Sequence, residues 1–127
     1  MGYGISVTVP GDVATVEPRV REALASQGFG VLSEIDLAGT LRTKIGVEMA
    51  NYKILGACNP QLAGRAVDAD ASIGLLLPCN VILRQTDEHT VVEAMDPDVM
   101  VQVAGDRLRP VADEAASKLR TALQSLA

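Results

Sequence analysis

The run Tyr52-Lys53-Ile54-Leu55-Gly56-Ala57-Cys58-Asn59-Pro60 decides the fold of this chain. Tyr52, Ile54, Gly56 and Cys58 alternate along one side of an extended segment, so the pattern predicts a strand over 52–58 with these four on a shared face. Asn59 supplies a side-chain oxygen for otherwise unpaired N–H groups. Pro60 fits the first helical position, where a missing N–H costs nothing. A helix to about Asp68 is therefore expected directly after the strand.

Downstream, Ile73 to Gln85 reads as the longest β-like stretch, with Ile73, Leu75, Leu77, Cys79, Val81 and Leu83 on one side and Leu76, Ile82 and Arg84 on the other. Thr86-Asp87-Glu88-His89 is a polar turn, and Thr90 to Met95 returns as a strand, completing a hairpin. Upstream, Gly4 to Val9 alternates Ile5, Val7 and Val9 with Ser6 and Thr8 as a first strand. Val13, Val16, Val20 and Leu24 recur at helical spacing, capped by Asp12 or Thr15 and closed by Gly28. A start near Thr15 would place Pro18 in the first turn.

Phe29 to Leu37 reads as a second strand in which Phe29, Val31, Ser33 and Ile35 share a face. Asp36 can cap a short helix carrying Leu41 and Ile45 and ended by Gly46. Asp96-Pro97-Asp98 opens a short segment broken at Gly105. Asp106 to Leu126 carries Leu108, Val111, Ala112, Ala115, Leu119, Ala122, Leu123 and Leu126 on one stripe of a final helix. The order β-α-β-(α)-β-α-β-β-α predicts an α+β fold in two layers, a mostly antiparallel sheet with helices on one face.

Composition limits what such a body does. The chain has 127 residues and 48% hydrophobic side chains, which suits one domain over 1–127 with a single core. No window reaches the ~18 apolar residues of a membrane span, and the first residues carry no basic run before an apolar stretch; a cytoplasmic location and no membrane partner are expected. In that compartment Cys58 and Cys79 should be free thiols. The net charge of −5 repels a phosphate backbone. With Tyr3, Phe29 and Tyr52 as its whole aromatic set, the chain offers few stacking platforms, and nucleic acid is not the expected partner.

Both cysteines stand in Cys-Asn pairs beside a proline: Cys58-Asn59-Pro60 and Pro78-Cys79-Asn80. Strand parity directs both toward the core, where free cysteine is at home. Against that inert reading, Asn59 and Asn80 bring amide donors beside the sulfurs, and a helix starting at Pro60 lowers the pKa of a thiol beside it. If strands three and four pair antiparallel, the cysteines lie within roughly 10 Å of each other, and only then is a disulfide open to them.

Structural zinc wants four N or S ligands, whereas this chain has two distant cysteines and His89 in a polar turn. Two cysteines with Met95 would suit a softer ion. Glu93 and Asp96 are an acid–base pair in principle, though Asp-Pro at a strand end reads as a turn and cap. Gly28-Phe29-Gly30 closes a helix and enters a strand, the reverse of a dinucleotide site, and the serines lack a nucleophile elbow.

The run 52–60, the run Ile73-Gly74-Leu75-Leu76-Leu77-Pro78-Cys79-Asn80-Val81, and the landmarks Gly28-Phe29-Gly30-Val31 and Met95-Asp96-Pro97 closely resemble the signature of the domain of unknown function 302 family. The resemblance spans nearly the whole chain. It implies a small bacterial or archaeal α+β domain, similar in topology to the TATA-box-binding-protein-like group of folds, dimeric, and without an established activity or cofactor. DNA binding does not come with that fold label. The expectation is a non-enzymatic cytosolic homodimer with a thiol-containing pocket for a small ligand or soft metal, formed around Cys58, Asn59, Cys79 and Asn80. A thiol-dependent enzyme or redox switch using Cys58 and Cys79 is the rival, and a structural dimer with inert cysteines the third reading.

Overall fold

A computed structural model describes residues 2–127. The chain runs β1 (Gly4–Pro10), α1 (Val13–Ser26), β2 (Gly30–Asp36), α2 (Leu37–Ile45), β3 (Tyr52–Cys58) and α3 (Pro60–Ala69). After a 3₁₀ segment at Ala71–Leu76 follow β4 (Cys79–Thr86), β5 (His89–Met95), α4 (Asp98–Ala104), a 3₁₀ turn at Asp106–Leu108 and α5 (Arg109–Gln124). The strands form one sheet in the order β1-β5-β4-β3-β2, and every neighbouring pair is antiparallel. This is the expected two-layer α+β architecture.

Side-chain alternation builds the layers. Val9, Leu55, Ala57, Val81, Leu83, Val92 and Ala94 leave one face of the sheet and are sealed by Val16, Val20 and Leu24 of α1 and Leu119 and Leu123 of α5. A second cluster, Leu62, Ala66, Ile73, Met100, Leu108 and Val111, joins α3, α4 and the start of α5 beside the first. Their alternate neighbours, among them Ile54, Ile82, Arg84 and Glu93, point to the other face, which among the described residues no helix core cluster covers.

Several local expectations hold in atomic detail. Asp12 caps α1 by accepting from Thr15 N at 2.8 Å, Asp36 caps α2 by accepting from Gly39 N at 3.0 Å, and Gly46 closes α2 with φ 70°. Others are corrected. Because Asp12 is the cap, α1 begins at Val13, two residues before the expected start. Pro18 therefore lies beyond the first turn, where the Ala14 carbonyl loses its usual N–H partner.

Residues 71–76 are not strand. Asp70 caps them by accepting from Ser72 N at 3.0 Å, Leu77 N closes the turn on Gly74 O at 3.2 Å, and Pro78 has no N–H for a ladder. Leu75, expected on the core side, is 88% exposed. In β2 the register shifts between Val31 and Ser33. Leu32 bulges out, so Val31 keeps the core face while Ser33 and Ile35 pass to the open one.

The largest correction concerns β3. Leu55 and Ala57 are the core residues, both at 0% exposure, so Tyr52, Ile54, Gly56 and Cys58 occupy the open face, not the core. Gly56 is required there. A Cβ at this position would run into the Ser33 side chain and come within 2.8 Å of the Pro78 ring.

Candidate functional site

The structure divides the Cys-Asn residues between the two sides of the sheet. Ala57 is the direct partner of Cys79, so the two share the core face, and Cys79 is 6% exposed. Burial first, and the neighbouring Cys58 second, push its thiol up to about 11. Beside it lies a cavity of about 30 Å³ whose lining includes Phe29, Leu62, Met100, Val111 and both Cys79 and Cys58. That is room for about one water molecule, far below the ~300 Å³ at which organic ligands are usually held.

Asn59 is taken up by the fold. Its Oδ1 accepts from Leu62 N at 3.3 Å as the α3 cap, and its Nδ2 donates to Gln27 O at 3.3 Å. The second bond ties α3 to the end of α1 across Gly28, whose φ of +84° disfavours a side chain and where a Cβ would come within 2.9 Å of Asn59 Nδ2.

Cys58 and Asn80 lie on the other side. Cys58, half-buried and one residue beyond Ala57, turns to the open face by strand alternation. Asn80 is exposed and sits opposite Gly56. The antiparallel pairing brings the two cysteine backbones close, but their side chains leave opposite faces of the sheet. Both thiols are free, and no bridge between them fits that geometry.

The other candidates separate as well. His89 is exposed at the start of β5. Glu93 accepts from Arg84 Nε at 2.9 Å on the open face. Asp96 accepts from Asp98 N at 3.0 Å and from Arg120 at 3.3 Å, which makes it a cap and an ion-pair partner. Among the described residues no three His, Cys, Asp or Glu side chains gather as a metal site.

What the open face does hold is a groove of about 530 Å³ lined by Tyr3, Gly4, Tyr52, Asn80, Ile82, Arg84, Glu93, Ala94 and Met95. Its apolar side chains are Tyr52, Ile82 and Met95 with Ala94. Its polar groups are the Asn80 amide and the Arg84–Glu93 pair, in which the Arg84 fork keeps further N–H donors free. Of these residues the sequence singled out Asn80 as a pocket residue, Met95 as a soft-ion ligand and Glu93 as an acid–base candidate. The available signal for the rest was that Ile54 and Ile82 are apolar on the faces opposite Leu55, Val81 and Leu83.

Comparison with known proteins agrees with this architecture. Residues 5–126 match the family model described as "Domain of unknown function DUF302". Among solved structures, the crystal structure of an uncharacterized conserved protein DUF302 from Bacillus stearothermophilus is similar at a TM-score of 0.92 and 26% sequence identity, with 100% of each chain covered. No curated protein matches the chain. No helix among the described residues is long and apolar enough to cross a membrane.

Proposed function

The chain belongs to the DUF302 family, and from that premise we propose a binding domain that works as a homodimer and takes a small, partly apolar ligand on the open face of its sheet. One observation carries the reading. The cavity beside Cys79 has room for only about 30 Å³, while the uncovered face offers a 530 Å³ groove lined by apolar side chains and a few polar groups. The ligand class follows from the lining: a flat apolar body resting on Ile82 and Tyr52, with an acceptor for the Asn80 amide or the free Arg84 N–H groups. Cys58 adds a thiol to the same face. Cys79 and Asn59 belong to the scaffold in this reading. A thiol enzyme built on Cys79 is disfavoured, because burial holds that sulfur protonated.

The test uses 8-anilinonaphthalene-1-sulfonate, an aromatic body with one acceptor group, as the probe. Native protein is expected to bind it with enhanced fluorescence. Ile82→Glu and Tyr52→Ala, both at the groove, are each expected to weaken binding about tenfold or more, which corresponds to about 1.4 kcal/mol. Native protein that leaves the dye unbound, or equal affinity in both variants, would sink the proposal.

A further inference from the structure

The two edges of the sheet are built differently. β2 carries the protections expected of an exposed edge: a bulge at Leu32 and the acidic side chains Glu34 and Asp36. β1, Gly4-Ile5-Ser6-Val7-Thr8-Val9-Pro10, has no charge, no register shift and no proline before its last residue. In a chain of net charge −5, this is a neutral edge at which two copies approach without like charges facing each other.

The hydrogen-bond pattern shows which groups are offered. Tyr3 O accepts from Asp96 N at 2.8 Å and Gly11 N donates to Glu88 O at 2.9 Å, so odd-numbered residues of β1 bond to β5. The N–H and C=O groups of Gly4, Ser6 and Thr8 therefore point away from the sheet, with Pro10 adding only a carbonyl. Directly opposed residues of an antiparallel pair share a face, so a two-fold axis through Ser6 or Val7 keeps both faces in register. Ile5, Val7 and Val9 then meet one another on the core side, and Ser6 and Thr8 meet on the open side. Beside the strand, Ile5 and Val7 also line a groove of about 230 Å³ against Arg120, Leu123 and Gln124 of α5.

From these features we infer that β1 pairs antiparallel with β1 of a second copy, making one continuous sheet across the dimer. The inference rests on the homodimer reading above and names its interface. It also concerns the ligand groove. Tyr3 and Gly4 form the β1 end of that groove, so the second copy supplies its missing wall, with the Ser6 and Thr8 hydroxyls of the other chain next to glycine's open side. A self-complementary strand of this kind gives an isologous, closed contact.

Two measurements test it. In sedimentation at micromolar concentration the native chain is expected to be a dimer, and Ser6→Lys/Thr8→Lys and Ser6→Glu/Thr8→Glu are each expected to be monomers whose equimolar mixture dimerises again. In amide exchange on the native protein, the outward N–H groups of Ser6 and Thr8 should be protected as well as those of Val7 and Val9. A native monomer overturns both the interface and the homodimer reading. A native dimer with fast-exchanging Ser6 and Thr8 amides, or with both variants still dimeric, overturns the β1 interface alone.

Discussion

Truncating Leu83 to alanine is expected to lower the unfolding free energy by about 2–5 kcal/mol, whereas truncating its neighbour Ile82 should cost about 1 kcal/mol or less. The contrast follows from one alternation. Leu83 is fully buried among the residues of β3, β5, α1 and α5, and its removal leaves a cavity that rigid neighbours on two layers cannot fill. Ile82 faces the groove, half-exposed, opposite Ile54 and Glu93. Its loss forfeits contact but opens no internal void. Equilibrium denaturation with urea measures both, and equal losses at the two positions would mean that the sheet is covered on both sides. The Ile82 variant should at the same time lose dye binding, which separates a surface used for binding from one used for folding.

The second large effect is a fall in stability at alkaline pH caused by Cys79. Its thiol rises from an ordinary 9.0 to about 11 in the folded protein, through burial first and the nearby Cys58 second. The folded state thus holds the proton more tightly than the unfolded chain. This contribution is fully present below pH 9.0 and is lost as pH rises through about 11. At ~1.4 kcal/mol per unit, the loss amounts to roughly 2–3 kcal/mol. Other groups titrate in the same window, so the measurement is a difference: unfolding free energies of the native chain and Cys79→Ala from pH 8 to 11. The native chain should lose stability more steeply by about that amount. Parallel curves would show that Cys79 is solvated in the folded state.

What could be read from the sequence was local. The Asp12, Asp36 and Asn59 caps, the β4–β5 hairpin and the α5 stripe each depend on residues a few positions apart, and each stands in the structure. The facing of β2 and β3 depends on distant partners. Both sides of Tyr52–Cys58 carry an aliphatic residue, Ile54 or Leu55, so alternation reveals two faces without saying which is inside. The pairing of Leu55 with Val81 under α1 and α5 decides it. The apolar run from Ile73 to Leu77 suits a strand equally well until the Asp70 cap and Pro78 are weighed as chain punctuation. The Leu32 bulge, which sends Ser33 and Ile35 across the sheet, leaves no trace in hydrophobic periodicity at all.

Two matching Cys-Asn dipeptides invite a single shared pocket, but consecutive strand residues point to opposite faces, and each dipeptide is cut by that rule. Cys79 falls on the core side and Asn80 on the open side, while Cys58 turns outward and Asn59 is drawn into the start of α3. The groove draws its lining from β3, β4, β5 and the start of β1, so its members lie far apart in sequence and share no spacing motif. Arg84 was visible only as a polar residue on a strand's second face, and its partner across the hairpin, Glu93, was singled out for a different pairing, with Asp96.

The sheet has one sealed face and one open face, and strand alternation sends the Cys79 and Cys58 side chains to opposite sides. Position-resolved alkylation of the native protein at pH 8 with iodoacetamide tests it most directly. A rise from 9.0 to about 11 leaves about a hundred-fold fewer thiolates at Cys79, and burial shields those that form. Cys58 should therefore be modified in the folded protein while Cys79 reacts only on unfolding; modification of Cys79 under native conditions at a rate equal to or above that of Cys58 would contradict the account.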